Sequence, residues 1–337
     1  MDDIKAPIVD FEQLFADISN LRVAVIGDVM LDTYWWGSVE RISPEGPVPV
    51  VALHKKEHRI GGAGNVALNT VSLGAETTLF SVIGEDEDAE TLLNLLQDEH
   101  IDTKYILRSS ERITTNKIRI IGRNQQMLRL DSEITTDVSN DDEEKLLNNF
   151  VGFVKRYQPS VVIFEDYNKG VLTENLIRSI IAICKEHKIA TTVDPKRKNF
   201  FAYKDVNIFK PNLKEVREGL NLLSTQITED NLRHIHHLLY EQLHHRISLI
   251  TLSEHGLFFQ KGNYAKVIPT HIRNIADVSG AGDTVIAVVS LIYAVTRDIT
   301  LAAEVANVAG GIVCEGVGTI AINRQLLLDE CRVLLCQ

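Results

Sequence analysis

Near the C-terminal end of the 337-residue chain runs Asp277-Val-Ser-Gly-Ala-Gly-Asp283-Thr284, followed at once by an apolar stretch at 285–295. Glycines there let successive amide N–H groups converge on one concavity. The helix expected over the apolar stretch adds partial positive charge at its start. The backbone of Gly280, Ala281 and Gly282 therefore reads as an anion hole. A carboxylate beside such a hole repels a passively bound phosphate. It makes sense if Asp283 takes the proton of an attacking hydroxyl while the hole steadies a transferring phosphoryl group. The plainer alternative is a glycine-rich helix start with an aspartate cap.

A second glycine cluster, Gly61-Gly62-Ala63-Gly64-Asn65-Val66-Ala67, lies far upstream. Gly62, Gly64 and Ala67 fit the spacing of a dinucleotide fingerprint, which should follow a buried strand and open its helix. Here the cluster follows a charged, half-exposed stretch instead. The buried strand lies earlier, at 23–31, and its turn holds only Gly27. Nicotinamide binding is disfavoured on that ground, and no GxxxxGK[ST] pattern occurs.

These groups need a scaffold. Apolar runs at 22–31, 79–84, 160–166, 189–195, 207–212 and 247–253 read as strands, most of them buried on both faces. Helical patterns lie between them, at 62–73, 85–100, 173–187, from Leu213 onward and at 285–295. The alternation implies a mostly parallel sheet with helices on both faces. Residues 35–60 and 113–131 break the rhythm, alternating apolar and polar side chains as strands with one wet face do. They read as a small β-sheet, turned at Gly122-Arg123-Asn124, that projects as a lid or a dimer surface. The whole chain, 1–337, is expected to be one domain carrying that lid.

The net charge is −11, from 46 acidic and 35 basic residues. That balance disfavours nucleic acid and requires a local cationic pocket for any anionic substrate. Cys184, Cys314, Cys331 and Cys336 form no CxxC pair, so they read as free thiols. His234, His236, His237, His244 and His245 lie in a helical pattern with no cysteine near, which reads as a solvated helix face. The N-terminus lacks a signal peptide's basic start and apolar core, and no run of 18 apolar residues occurs. A cytoplasmic protein with no membrane or nucleic-acid partner is expected.

GGAGN and DVSGAGDT together resemble the two signature motifs of the PfkB, or ribokinase-like, carbohydrate kinases, in order and in separation. The resemblance runs from about Leu21 to Leu327. Within the family, several segments resemble the branch that phosphorylates D-glycero-β-D-manno-heptose 7-phosphate in ADP-heptose synthesis for lipopolysaccharide. They are Gly27–Asp32, Arg41–Glu45 with 47–51, Asn124–Asp131, Asp166–Gly170, Asp194–Lys196 and Lys210–Glu215. That branch often carries a C-terminal adenylyltransferase domain. No HxGH motif follows Leu327, so a stand-alone kinase is expected.

The resemblance implies a three-layer α/β/α sandwich with a β-sheet lid, and an ATP-dependent kinase acting on the sugar's anomeric hydroxyl, O1. It makes Asp283 the base and Gly280, Ala281 and Gly282 its anion hole. Asp32, Gly61, Gly62 and Asn65 would hold sugar hydroxyls, with Asp166 and Lys169 on a loop facing the site. Asn124, Gln126 and Arg129 would close from the lid. Asn212 and Glu215 would organise Mg²⁺ and the phosphates through water; Asn212 also reads as a plain N-cap and Glu215 as a carboxylate serving the helix dipole. Thr251, Ser253 and Gly256 would contact nucleotide phosphates and ribose, and Asn307 the adenine. Lys169, Arg129 and Lys196 are candidates for the sugar's own phosphate, Lys196 being open to ATP as well.

ATP and Mg²⁺ are the implied cofactors; monovalent-cation use is left open. A homodimer through the lid is expected. Two departures stand out. Gly64 occupies a place where the branch leads one to expect alanine, and Phe164-Glu165-Asp166 has two acids where one is expected. The alternatives are a kinase for fructose 1-phosphate, tagatose 6-phosphate, ribose or a nucleoside, and a non-catalytic sugar-binding protein.

Overall fold

The apolar runs become interior strands of one large sheet, each shielded from water by helices on both faces. The computed structural model describes residues 9–122, 125–223 and 226–335. Arg123, Asn124 and Cys336 lie outside the described residues. The first half runs α1 (Phe11–Ile18), β1 (Arg22–Gly27), β2 (Val29–Ile42), β3 (Pro49–Gly62), α2 (Ala63–Ser72), β4 (Glu76–Ile83), α3 (Glu87–Asp98), β5 (Asp102–Arg108), β6 (Asn116–Gly122), β7 (Gln125–Ser132) and α4 (Asn140–Tyr157). There follow β8 (Val161–Glu165), α5 (Glu174–Glu186), β9 (Ala190–Asp194), β10 (Ile208–Phe209), α6 (Leu213–Gly219), α7 (Glu229–Leu243) and β11 (Ile247–Thr251). The chain then adds β12 (Leu257–Lys261), β13 (Tyr264–Ile268), α8 (Ala281–Thr296), α9 (Ile299–Val313) and α10 (Arg324–Leu335).

Nine strands form the main sheet in the order β13-β12-β11-β10-β9-β8-β1-β4-β5. Pairing is parallel from β5 to β11, and the edge hairpin β12–β13 is antiparallel. Alternation along β1 sends Val23 and Val25 into a core shared with α1, α2, α3, α8, α9 and α10. Ala24 and Ile26 point the other way, into a core shared with α4, α5 and α7. The result is the expected three-layer sandwich. Helix α8 lies inside the first core and is buried from Asp283 to Tyr293. Each fully buried Val, Leu or Ile on it contributes roughly 1.5–3 kcal/mol, which keeps the helix start in place.

The smaller sheet has four strands in the order β3-β2-β6-β7. Its strands β2 and β3 begin before and end after the expected 35–60, while β6 and β7 begin inside the expected 113–131 and end one residue beyond it. What reads in sequence as one strand over 22–31 is divided at Asp28: β1 belongs to the main sheet and β2 opens the smaller one. Gly27 is needed at that crossing, since a Cβ there would lie 1.9 Å from the Glu165 carbonyl oxygen. Both tryptophans, Trp35 and Trp36, sit half-buried on β2.

The histidine segment is corrected. It is helical, but His236 and His245 are buried rather than solvated. The Ser248 hydroxyl bridges them, 2.8 Å from His236 Nδ1 and 2.6 Å from His245 Nε2. Cys184, Cys314 and Cys331 form no disulfide among the described residues.

Candidate active site

Among the described residues eight helices begin with a side-chain oxygen bound to a first-turn amide: Asp10, Asp86, Ser139, Thr173, Asn212, Thr228, Asp298 and Asn323. α2 and α8 do not. They start at Gly62 and Gly280, with no side chain capping them. The sequence-predicted glycine clusters thus leave two helix N-termini without a side-chain cap, the property an anion hole needs. Gly280 has φ +78°, and a Cβ on it would lie 2.9 Å from Asn65 Nδ2. Gly64 packs where a Cβ would come within 2.4 Å of Ile60 Cγ2, which accounts for glycine in place of alanine.

Asp283 is buried in the first turn of α8. Asn65 Nδ2 donates to its Oδ2 at 2.8 Å, and the Tyr167 hydroxyl donates to its Oδ1 at 2.8 Å. Asn69 in turn donates to Asn65 Oδ1 at 3.3 Å, which turns the Asn65 amide so that its N–H₂ faces Asp283. Burial raises the Asp283 pKa to about 6, against the lowering effect of these two donors. A carboxylate so placed is a proton acceptor near neutral pH.

Around it lies a cluster of buried charge. Asp194, at the end of β9, pairs with Lys210 Nζ at 2.7 Å and Lys196 Nζ at 3.4 Å. Lys196 also meets Glu215 Oε1 at 2.6 Å. Burial opposes the Lys196 charge, but Asp194, Glu215 and Glu165 hold its pKa above the ordinary lysine value. Asn212 and Glu215 form a capping box on α6: Asn212 Oδ1 accepts from the Glu215 amide, and Glu215 Oε2 accepts from the Asn212 amide, both at 2.8 Å. The helix-end reading of these two residues is therefore what their hydrogen bonds show. Asn212 also bridges to Thr251 at the end of β11, and Glu165 closes the cluster from β8.

One face of the smaller sheet is aligned by register. Asp32 on β2 stands beside Arg59 on β3 and Lys117 on β6. Arg119 Nη1 bonds Asp32 Oδ1 at 2.5 Å, and a Cβ on Gly61 would lie 2.5 Å from Asp32 Oδ2. The Lys117 ammonium lies 4.9 Å from the centre of the Tyr167 ring, and Lys196 lies 5.3 Å from the same centre. Tyr167 thus connects the sheet face to Asp283. The loop carrying it is clamped by Asp28, whose carboxylate accepts from the amides of Tyr167, Lys169 and Val171 at 2.8–3.0 Å.

Several expected residues stand apart from this cluster. Asp166 accepts from the Asn168 amide and the Tyr203 hydroxyl, and burial followed by Asp28 raises its pKa to about 7. Of the two adjacent acids, Glu165 faces Asp283 and Asp166 faces the opposite core. Lys169 Nζ is paired with Glu133 at 2.7 Å. Gln126 and Arg129 lie exposed on β7, Arg129 pairing with Asp131 at 2.8 Å. Ser253 and Gly256 form a turn after β11, and Asn307 Nδ2 donates to the Pro269 carbonyl at 2.8 Å. Lys117 and Arg119 were not singled out from sequence, and Lys210 appeared only as the start of a resembling segment. The signal of the first two is the charge alternation Lys117-x-Arg119, legible only once β6 is known to pair with β2.

The profile of the pfkB family of carbohydrate kinases matches residues 20–326. The bifunctional protein HldE of Geobacter sulfurreducens is 37% identical over 313 residues, covering 93% of this chain and 63% of that protein. HldE of Geotalea uraniireducens is 39% identical over 323 residues, covering 95% of this chain and 65% of that protein. The chain thus spans about 63% of the length of the curated relatives it matches. Phosphofructokinase-2 from Escherichia coli, in complex with potassium, superposes with a TM-score of 0.77 at 16% identity, covering 94% of this chain and 100% of that one. Arabidopsis thaliana ribokinase, complexed with ribose and ATP, gives 0.72 at 14% identity, covering 91% and 98%. The fold is ribokinase-like.

Proposed function

The chain belongs to the pfkB family of carbohydrate kinases, phosphotransferases with an alcohol acceptor, and from that premise we propose that it transfers the γ-phosphoryl group of ATP to O1 of D-glycero-β-D-manno-heptose 7-phosphate. The observation that carries the reading is Asp283, a buried carboxylate oriented by Asn65 and Tyr167 at a glycine-capped helix start. Asp283 accepts the O1 proton as O1 attacks the γ-phosphorus. The O1–P bond forms, the bond from phosphorus to the β–γ bridging oxygen breaks, and ADP leaves with that electron pair. The amides of Gly280, Ala281 and Gly282 receive the charge on the transferring group. Lys196 and Lys210 offset phosphate charge from the β9 and β10 side.

The oxygen-rich donor set beside Lys196 suits Mg²⁺, which when bound offsets phosphate charge. Asp32 and Asn65 are the hydroxyl-binding groups. Lys117, together with Arg119 and Lys169, faces the sugar's phosphate, with Gln126 and Arg129 at the rim. Thr251, Ser253, Gly256 and Asn307 form the nucleotide side. Support for the heptose comes from the segments that resemble that branch and from the identity shared with the HldE proteins. The enzyme works in the cytoplasm as a homodimer through the smaller sheet. Among the described residues no helix is long and apolar enough to cross a membrane.

An ADP-release assay across sugars tests the substrate. Heptose 7-phosphate should exceed fructose 1-phosphate, tagatose 6-phosphate and ribose in kcat/KM by about tenfold or more. Faster turnover of any of the others reassigns the acceptor.

A further inference from the structure

We propose that Glu165, Asp194 and Asp283 form a binding site for one Mg²⁺ ion that fills without nucleotide, with Glu165 as its defining ligand. The three carboxylates converge from the ends of β8 and β9 and the first turn of α8. Each offers an oxygen, and these atoms all lie within 4.8 Å of one another. Oxygens on opposite sides of a cation with bonds of ~2.0–2.6 Å are roughly 4–5 Å apart. All three residues are buried, Glu165 completely.

What separates Glu165 from an ordinary acid in a cluster is its lack of partners. Asp194 is bonded to Lys210 and Lys196, and Asp283 to Asn65 and Tyr167. Both carboxylate oxygens of Glu165 are buried with no hydrogen-bond partner among the described residues. Folded proteins leave few polar atoms in that condition. A proton alone would remove the charge, yet it would leave an O–H with no acceptor and a second oxygen still unpaired. A cation satisfies both oxygens and the charge together.

The local balance points the same way. Glu165, Asp194, Glu215 and Asp283 are four carboxylates, and Lys196 and Lys210 are the two ammonium groups bonded among them. Four against two leaves a deficit that one divalent ion fills. Donors that are all carboxylate oxygen select a hard cation such as Mg²⁺ or Mn²⁺ over zinc. Glu215, the acid that the family resemblance indicates, is not among the three acids whose oxygens converge, and it is held away by the Asn212 amide and Lys196. Direct ligation falls instead to the extra acid of Phe164-Glu165-Asp166.

The probe is Mn²⁺, titrated into chelator-stripped full-length protein without nucleotide or sugar, with free Mn²⁺ read by its paramagnetic resonance signal. One Mn²⁺ should bind per chain and be displaced by Mg²⁺. Glu165→Gln, which keeps shape and removes charge, should weaken binding by about tenfold or more, since a lost charged ligand costs a large share of such a site's affinity. Glu215→Gln should leave it within about threefold. If the Gln variant fails to fold, Glu165→Asp takes its place: it keeps the charge, withdraws the oxygens by one methylene, and should still weaken binding. No nucleotide-free binding, or unchanged binding in the Glu165 variants, overturns the proposal. Because no sugar is present, a protein that binds Mn²⁺ but fails to phosphorylate heptose would count against the proposed substrate and leave this site standing.

Discussion

Asp283 has both carboxylate oxygens held, one by an amide and one by a phenol, so its direction is set before any substrate arrives. Asp283→Asn retains the shape and loses the proton acceptor. It should lower kcat by about 10²–10⁴-fold, with ATP affinity measured by calorimetry nearly unchanged. Turnover within about threefold of wild type would remove Asp283 from the role of base. Lys117 carries a second expectation at this scale. Lys169 has a carboxylate partner in Glu133. Lys117 is half-buried, and among the described residues its ammonium has no ion pair, only the Tyr167 ring. Burial pulls its pKa down despite the nearby Asp32. A substrate phosphate would supply the missing counter-charge. Lys117→Met should raise KM for the sugar phosphate about tenfold or more, since charge-assisted contacts contribute ~1.5–3 kcal/mol. KM for ATP should hold; a rise confined to ATP would place Lys117 on the nucleotide side.

At the scale of elements, the buried pair His236 and His245 binds α7 and the turn after it to β11 through Ser248. Burial pushes His236 down to about 4 and His245 down to about 3, from an ordinary value of 6.5. The unfolded chain takes up these protons near pH 6.5, and the folded chain refuses them until far lower. Stability from the neutral pair is therefore complete above 6.5 and is lost as pH falls toward 4. The melting temperature should drop across that window, and the drop should be shallower in His236→Gln. A flat melting temperature from pH 6.5 to 4 would rule the pair out. The pair also shows what a sequence conceals. The helix was legible from its periodicity, yet which histidines face inward depends on where β11 packs. The stretch 207–212 reads in sequence as a strand, but only Ile208 and Phe209 form β10, because Pro211 offers no amide to a ladder. Asp283, Asn65 and the glycine caps were readable because they lie in short contiguous motifs. Lys117 and Arg119 were not, because their partners on β2 are some eighty-five residues distant and only the parallel β2–β6 register unites them.

For the molecule as a whole, the smaller sheet is too thin to bury its own apolar side chains. Ile42, Leu53, Leu128 and Leu130 on it and Val48 in the turn between β2 and β3 are 43–60% exposed, a pattern that marks an association surface. Light scattering at tens of micromolar should return twice the chain mass, and Leu128→Glu with Leu130→Glu should return the monomer. A wild-type monomer at that concentration would refute the dimer.

That same sheet contains every tryptophan in the chain, since Trp35 and Trp36 are adjacent on β2 and there are two in all. Tryptophan dominates the near-ultraviolet emission of a protein, so the fluorescence of this entire molecule originates in the smaller sheet. No label has to be attached. β3 leaves the sheet at Gly61-Gly62 and passes directly into α2, which carries Asn65 to Asp283. The light source and Asp283 are thus joined by one short run of chain, and movement of the sheet over a bound sugar should appear as a change in emission colour that precedes ADP release in a stopped-flow trace. An emission spectrum indifferent to saturating sugar phosphate would mean that the sheet does not move when the substrate binds.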